Sequence, residues 1–225
     1  MKNQIFTLKF GINRCYIIKG KGAVLIDGGP PDKGRAFTKI LSKYSIDPRD
    51  IQLIVLTHGD FDHVGSSGDF KALTGAKILI HEKDRRNLEE GLFNWPPGTT
   101  GWGKTLRFML APLLSKKIFF PGVKADIILN ENEFLLNDFG IEGKIVYTPG
   151  HTPGSVSVLL NSGEAFVGCL AHNNFPFKFR PGLPIFAEDQ EEVKKSWKTL
   201  VSQGAKMIYP AHGNPFPIEK IKKYL

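Results

Sequence analysis

A short polar segment carries two histidines and two aspartates within six positions, directly after the apolar run 51–56. These side chains are His58, Asp60, Asp62 and His63. The apolar run is typical of a strand buried on both faces, and loops at strand ends are where a rigid scaffold presents reactive groups. Imidazole and carboxylate are ligand types of hydrolytic metal sites. The segment therefore predicts a metal centre at the edge of a sheet.

Three later residues extend this donor set, each in a turn at the end of a predicted strand. His151 lies in the sequence Thr-Pro-Gly-His-Thr-Pro-Gly, Cys169 in Phe-Val-Gly-Cys-Leu, and His212 in Tyr-Pro-Ala-His-Gly. Histidine nitrogen and cysteine sulfur are both zinc ligands. Together the seven residues indicate a two-metal centre, and we expect a metallohydrolase.

Length and composition are those of a folded globular protein. The chain has 225 residues, of which 41% are hydrophobic and 23% charged, enough for one large domain or two fused halves. No window reaches the roughly 18 apolar residues of a membrane span, and the first residues enter a strand pattern rather than a signal segment. We therefore expect a cytoplasmic protein without membrane contact.

The formal net charge of +8 permits an anionic substrate or a nucleic acid. The lysines are scattered, however, and do not alternate with aromatic residues as in a base-stacking surface. A small-molecule substrate is expected and nucleic acid is not, while the oligomeric state stays open.

The two cysteines receive different interpretations. A disulfide is not expected in a reducing compartment, and Cys169 is better used as a metal ligand. Cys15 lies in a strand-like run and is expected to be a small core residue.

Hydrophobic periodicity divides the chain into two αβ halves. Strands are predicted at 6–10, 15–18, 23–26, 51–56, 77–81, 127–129, 134–136, 143–147, 155–160, 164–167 and 206–209, and helices at 32–44, 66–73 and 188–202.

The stretch 84–124 lacks a regular pattern and is rich in aromatic residues. One interpretation is a pair of short helices over the core. The other is a lid that walls the metal pocket with Phe93, Trp95, Trp102 and Phe108. The two interpretations are compatible.

Five landmarks, in order along the chain, resemble those of the metallo-beta-lactamase superfamily. They are Leu-Ile-Asp-Gly-Gly at 25–29, the loop 57–65, the segment 148–155, the Gly-Cys corner at 168–169 and Pro-Ala-His-Gly at 210–213. The resemblance implies a single α/β (α+β) domain over 1–225, a four-layer αββα sandwich in which helices cover two mixed sheets packed face to face. It places the metals at one edge, between the halves.

The resemblance also implies a ligand assignment. The first metal would be held by His58, Asp60 and His151, and the second by Asp62, His63 and His212, with Cys169 on the second metal or bridging both. The sequence departs from the usual family pattern at two ligands: Asp60 replaces a histidine, and Cys169 replaces an aspartate. Both replacements are competent metal ligands.

Two further residues are expected near this centre. Asp27 would orient a ligand or the ligand loop without touching metal. His172, three residues after Cys169, is a candidate for substrate contact.

The expected reaction is attack of a metal-bound hydroxide on the carbonyl of an ester, lactone, thioester or amide, with Asp62 as both ligand and proton acceptor. Two aspartates, a thiolate and a hydroxide cancel the charge of two divalent ions, which predicts a weaker Lewis acid than the strongest zinc sites. The mixture of nitrogen, oxygen and sulfur donors favours zinc, with iron or manganese as alternatives.

Other functions stay open from the sequence. Phosphodiester hydrolysis is compatible with the positive charge. A different class is an oxygen-handling diiron protein, or a metal or redox sensor without hydrolytic turnover that uses Cys169.

Overall fold

Two mixed β-sheets of six strands each form the centre of the molecule. The computed structural model describes residues 3–93, 95–114, 119–130, 133–173 and 180–225, with the side chains of 113 and 114 excluded. The strands of the first sheet, which neighbour one another in chain order, are β1 (Gln4–Phe10), β2 (Asn13–Lys19), β3 (Ala23–Ile26), β4 (Ile51–Val55), β5 (Lys77–His81) and β6 (Ile127–Leu129). The first three strands are antiparallel, and β3 to β6 are parallel.

The second sheet also follows chain order. Its strands are β7 (Glu133–Leu135), β8 (Gly143–Tyr147), β9 (Val156–Leu160), β10 (Glu164–Phe166), β11 (Met207–Tyr209) and β12 (Phe216–Pro217). All neighbours are antiparallel except β10 and β11, which are parallel.

The helices of the described residues lie between and after these strands in the chain. They are α1 (Gly34–Lys43), α2 (Phe61–Val64), α3 (Ser67–Thr74), α4 (Glu82–Glu90), α5 (Gly101–Leu114), α6 (Gln190–Ser202) and α7 (Glu219–Lys222). None of them is long and apolar enough to cross a membrane.

Three apolar clusters lie between neighbouring layers of the molecule. One contains side chains of both sheets, such as Leu53 and Val158, and fills the space between them. A second joins the other face of the first sheet to α1 and α3, as with Ile54 and Phe37. The third joins the second sheet to α6, where Trp197 is buried. Successive strand residues point to opposite faces, so a strand covered on both faces needs an unbroken apolar run. The predicted αββα sandwich is confirmed.

The two layers are also joined by a buried hydroxyl. Tyr16 lies on β2, and its hydroxyl donates a hydrogen bond of 2.7 Å to the main-chain oxygen of Pro210, which follows β11. Tyr16 is 2% exposed and packs at 5.1 Å from the ring of Phe166 on β10. This contact fixes the position of the first half relative to the turn that contains His212.

The predicted helices are present with bounds shifted by one or two residues. The expectation of irregular structure from residue 84 is wrong for the first part of that stretch, since α4 continues to Glu90. The helix pair expected there is present as α4 and α5, and the predicted stretch 84–124 also includes residues 94 and 115–118, which lie outside the described residues. The lid interpretation stays a prediction. Of the four aromatic side chains expected to wall the pocket, Phe93 and Trp95 line the cavity beside the predicted donors, whereas Trp102 and Phe108 are exposed and lie outside its lining.

Candidate metal centre

The loop after β4 is held by a buried aspartate on the neighbouring strand end. Asp27 follows β3, which is parallel to β4, so the two strand ends lie side by side. Its carboxylate accepts hydrogen bonds of 2.8 Å and 2.9 Å from the main-chain nitrogen and the hydroxyl of Thr57. Asp27 has a φ of 66°, a left-handed conformation that Asp tolerates better than most residues. This turn brings the carboxylate back over the loop.

Three histidines of the centre are oriented through Nδ1. His63 donates to the carboxylate of Asp27 at 2.8 Å, His151 to the main-chain oxygen of Phe186 at 2.8 Å, and His58 to the hydroxyl of Thr57 at 3.0 Å. A histidine that donates from Nδ1 presents the lone pair of Nε2 to a metal. All three Nε2 atoms are thus prepared for ligation.

The corner that carries Cys169 approaches the ligand loop closely. Gly168 has a φ of 52°, and a Cβ there would come within 2.4 Å of the Thr57 hydroxyl. Only glycine fits this position, and it lets the Cys169 sulfur come within 3.2 Å of His63 Nε2.

Two groups of donor atoms meet at Cys169. His58, His151 and Cys169 each offer one ligand atom within 4.8 Å of the others, and so do His63, Cys169 and His212. All five residues are buried. The shared cysteine lies between two pairs of histidines, as expected for a bridging ligand.

Each group has one carboxylate beside it. Asp60 Oδ2 lies 3.1 Å from His151 Nε2 and 3.5 Å from His58 Nε2. Asp62 Oδ2 lies 3.3 Å from His212 Nε2 and 3.9 Å from His63 Nε2. The structure therefore brings all seven predicted donors together in the expected division, although their role as metal ligands stays a prediction.

The ionisable groups of the centre shift one another's pKa values. Burial alone would raise the pKa of the Cys169 thiol, but the surrounding histidines, His63 first, hold that pKa well below its usual range. Burial likewise acts to raise the pKa of Asp60, but the neighbouring imidazoles of His151 and His58 bring that pKa below its usual value. For His63, burial would lower the pKa, while Cys169 and the nearby carboxylates raise it well above the usual value. Anionic donors thus face cationic imidazoles, whose protons a divalent ion would displace.

The donors present fit a pair of divalent metal ions. His58 Nε2 and Asp60 Oδ1 are buried and have no hydrogen-bond partner among the described residues. Buried polar atoms are normally paired, so an atom left in this way indicates a ligand. Nitrogen, carboxylate oxygen and thiolate sulfur suit zinc in particular.

Asn13 contacts the centre and was missed in the sequence. Its side-chain amide donates to Asp62 twice, at 2.9 Å to Oδ2 and at 2.8 Å to the main-chain oxygen. Asn13 is 3% exposed at the start of β2. An Asn at the start of an apolar strand is the one signal that the sequence offered.

Asp84 ties the two ligand loops together and was also missed. It accepts hydrogen bonds from the main-chain nitrogens of Gly59, at 2.9 Å, and Gly154, at 3.0 Å, and from the Thr152 hydroxyl at 2.6 Å. It lies just past the end of β5, at the same sheet edge as the loop after β4. That position was the available signal.

His172 lies at the wall of the centre. It is buried, forms a strand-like bridge with His212, and has its ring 5.3 Å from the ring of that residue. Burial lowers the pKa of His172 to about 4. His172 lines the cavity in front of the cluster, where a substrate could contact it, and this contact stays a prediction.

The segment of the chain that contains these donors matches a known protein family. The family model for the metallo-beta-lactamase superfamily matches residues 8–212, which includes all seven predicted donors. The chain belongs to the metallo-beta-lactamase superfamily. The resemblance stated from the sequence is thereby confirmed.

Individual metallo-beta-lactamase relatives are distant. A beta-lactamase-like protein 2 homolog of Drosophila melanogaster is 28% identical over 96% of this chain and 63% of its own length. A probable metallo-hydrolase of Methanocaldococcus jannaschii is 30% identical over 65% of this chain and 62% of its own length. The chain spans about three fifths of these two curated relatives.

A solved structure agrees with the fold. The BLEG-1 B3 metallo-beta-lactamase superposes with a TM-score of 0.69, covering 96% of this chain and 95% of the other, at 20% identity. At this identity the likeness concerns the fold alone.

Proposed function

We propose that this metallo-beta-lactamase-fold chain is a hydrolase that binds two divalent ions, zinc by preference, and cleaves a carbonyl compound such as an ester, lactone, thioester or amide. The observation that carries the proposal is the position of Cys169 in both donor groups. One thiolate between two histidine pairs, with a carboxylate beside each pair, makes two adjacent ligand sets. Membership of a superfamily with relatives named as metallo-hydrolases supports hydrolysis.

The chain's residues have separate tasks in this reaction. Divalent ions in such a site supply an activated water at neutral pH and stabilise negative charge on the carbonyl oxygen. Asp62 is held by Asn13 through Oδ2, so Oδ1 is the oxygen that accepts the proton of the attacking water. The water oxygen bonds to the carbonyl carbon. The bond to the leaving oxygen, sulfur or nitrogen then breaks, and Asp62 returns the proton to that atom.

Metal content is the first test. Mass spectrometry of protein purified without added metal should give about two zinc ions per chain, and the loaded protein should hydrolyse at least one of the four carbonyl classes. Iron with visible absorbance would replace the proposal with the diiron alternative. Bound zinc without turnover of any of the four classes would favour the sensor alternative.

Substitution of the shared cysteine tests the ligand assignment. Cys169→Ser should lose at least one metal per chain, because a hydroxyl is a much poorer ligand than a thiolate. Cys169→Asp restores an anionic ligand and should keep both metals and hydrolyse at least as fast as the parent. Cys15→Ser, at the other buried cysteine, is the matched control and should leave the metal content unchanged. Unchanged metal in Cys169→Ser would remove the thiolate from the site.

A further inference from the structure

A cavity of about 490 Å³ opens in front of the donor cluster, and most of its lining is apolar. Its polar lining includes residues of the site, such as Asp62, Cys169 and His172. The remaining lining is mainly aromatic and aliphatic, including Leu106 and Leu110 of α5. A volume of this size suits a small organic molecule.

Four aromatic rings form a continuous row along the apolar wall. The ring centroids of Phe61 and Phe93 lie 4.8 Å apart, those of Phe93 and Trp95 lie 5.6 Å apart, and those of Trp95 and Phe186 lie 5.7 Å apart. The interplanar angles are 70°, 60° and 78°, so each pair has an edge-to-face arrangement, which is favourable for aromatic contacts. The row runs from the first half, across the segment before α5, to the second half.

Both ends of this row are joined to the donor cluster. Phe61 lies between Asp60 and Asp62 in the chain, and the main-chain oxygen of Phe186 accepts the hydrogen bond from His151 Nδ1. The wall and the donors therefore keep a fixed mutual position. A group packed on the rings holds the atoms bonded to it beside the metal ligands.

Beyond the donor cluster, the lining of the cavity offers little positive charge to a polyanion. Lys33 is the one lysine or arginine among the described residues that line the cavity, although the whole chain has a net charge of +8. A nucleotide or a phosphodiester would need several cations or donors at this wall. The positive charge is elsewhere on the surface and does not shape this site.

We infer that the substrate is an uncharged acyl compound, an ester or thioester whose acyl group is aromatic or a medium-length alkyl chain. The acyl group packs on the row Phe61–Phe93–Trp95–Phe186, and its carbonyl faces the donor cluster. The assignment of a carbonyl rests on the proposed function, whereas the apolar group rests on the wall itself.

A binding series with neutral ketones tests the inference without turnover. Methyl alkyl ketones from 2-butanone to 2-decanone carry a carbonyl and cannot be hydrolysed. Calorimetric titration of the protein as purified should show the affinity rising about fourfold per added methylene until the cavity is filled. An affinity that does not change with chain length, or a nucleoside monophosphate that binds more tightly than 2-octanone, would overturn the inference.

Paired variants locate the binding to the aromatic row. Trp95→Ala should weaken 2-octanone binding at least tenfold. Trp102→Ala, a substitution of the same size on α5 at a tryptophan that is 50% exposed and outside the cavity lining, should change it less than twofold. Equal effects of the two substitutions would show that the ketone does not bind at the aromatic row. Leu110→Trp fills the cavity instead of emptying it, and should shorten the chain length at which affinity stops rising.

The two proposals fail in different ways. A rising ketone series without hydrolysis of any carbonyl class would retain the apolar site and remove the proposed function. Hydrolysis of a carbonyl compound, together with a ketone affinity that does not change with chain length, would retain the proposed function and remove the apolar site.

Discussion

Single residues orient the donors of this metallo-beta-lactamase centre through hydrogen bonds of different chemistry. His63 is held by a carboxylate, His58 by a hydroxyl and His151 by a main-chain carbonyl. The carboxylate of Asp27 serves two of these, because it also accepts from the Thr57 hydroxyl that contacts His58. One buried side chain therefore helps to orient one histidine of each pair, His63 directly and His58 through Thr57.

Replacement of Asp27 by Asn tests this role. The amide keeps the shape and tolerates the left-handed backbone, but it offers a single acceptor oxygen for Thr57 and His63 together. We expect the affinity for the second zinc to fall about 10- to 100-fold, the usual effect of losing a group that orients a ligand. Competition with a chromophoric chelator measures it.

Asp32 provides a matched control for that substitution. It is exposed and has a φ of 61°, close to the 66° of Asp27. Asp32→Asn should leave zinc affinity unchanged. A similar loss in both variants would show that the backbone of this loop matters and the carboxylate does not.

The donors were visible in the sequence because each lies in a short motif of its own. Their supporting residues were not, because the partners are distant along the chain. Asn13 and Asp62 are 49 positions apart, and Asp84 and Gly154 are 70 apart. A hydrogen bond between residues so far apart in the sequence depends on how whole layers pack together. No local sequence pattern predicts that packing.

At the scale of elements, α4 shows how a regular helix can escape a periodicity argument. Leu88 is the one apolar residue among its nine, so there is no apolar stripe to detect. The helix is stabilised locally instead: His81 caps it by accepting from the main-chain nitrogen of Lys83, and Arg85 and Arg86 pair with glutamates one turn later. Strands such as β3 were easier to predict, because burial on both faces makes them apolar throughout.

The same helix supplies the buried carboxylate of Asp84, whose removal should weaken both ligand loops. Asp84→Ala leaves two main-chain N–H groups and one hydroxyl without their acceptor. We expect a loss of about 2–4 kcal/mol in the free energy of unfolding, at about 1–3 kcal/mol per unsatisfied buried group with some relief from water. Urea denaturation measures the loss.

Glu82→Ala is the control in the first turn of that helix. Glu82 is exposed and lies 3.8 Å from Arg85, a surface pair that contributes little. Its removal should cost less than about 0.5 kcal/mol. If Asp84→Ala costs no more than this control, the loops are held by other contacts.

At the scale of the whole molecule, the two sheets meet through an apolar layer in which the side chain of Tyr16 is buried. Burial raises the pKa of Tyr16 well above its usual value. The folded state therefore favours the neutral phenol more strongly than the unfolded state does. The resulting stability is complete below about pH 10, the unfolded pKa, and is lost as the pH rises towards the folded pKa.

Tyr16→Phe should change this alkaline behaviour in a defined direction. The variant should be less stable by about 1 kcal/mol at pH 7, because the Pro210 carbonyl loses its hydrogen bond. Between pH 9 and 11 its stability should fall less steeply than that of the parent, as measured by thermal unfolding at each pH. Tyr44→Phe, whose hydroxyl bonds to Thr7 within the first half, is the control. Parallel pH curves for Tyr16→Phe and the parent would show that Tyr16 does not carry the alkaline loss.

The main-chain hydrogen bond between Phe186 and His151 has a consequence for the divergence of such proteins. A backbone carbonyl is present whatever amino acid occupies position 186, whereas the orientation of His63 is lost with the side chain of Asp27. The ring of Phe186 can therefore be exchanged without disturbing the histidine behind it. Position 186 is consequently a place where selection, or a saturation library, can retune substrate preference while the catalytic apparatus stays intact.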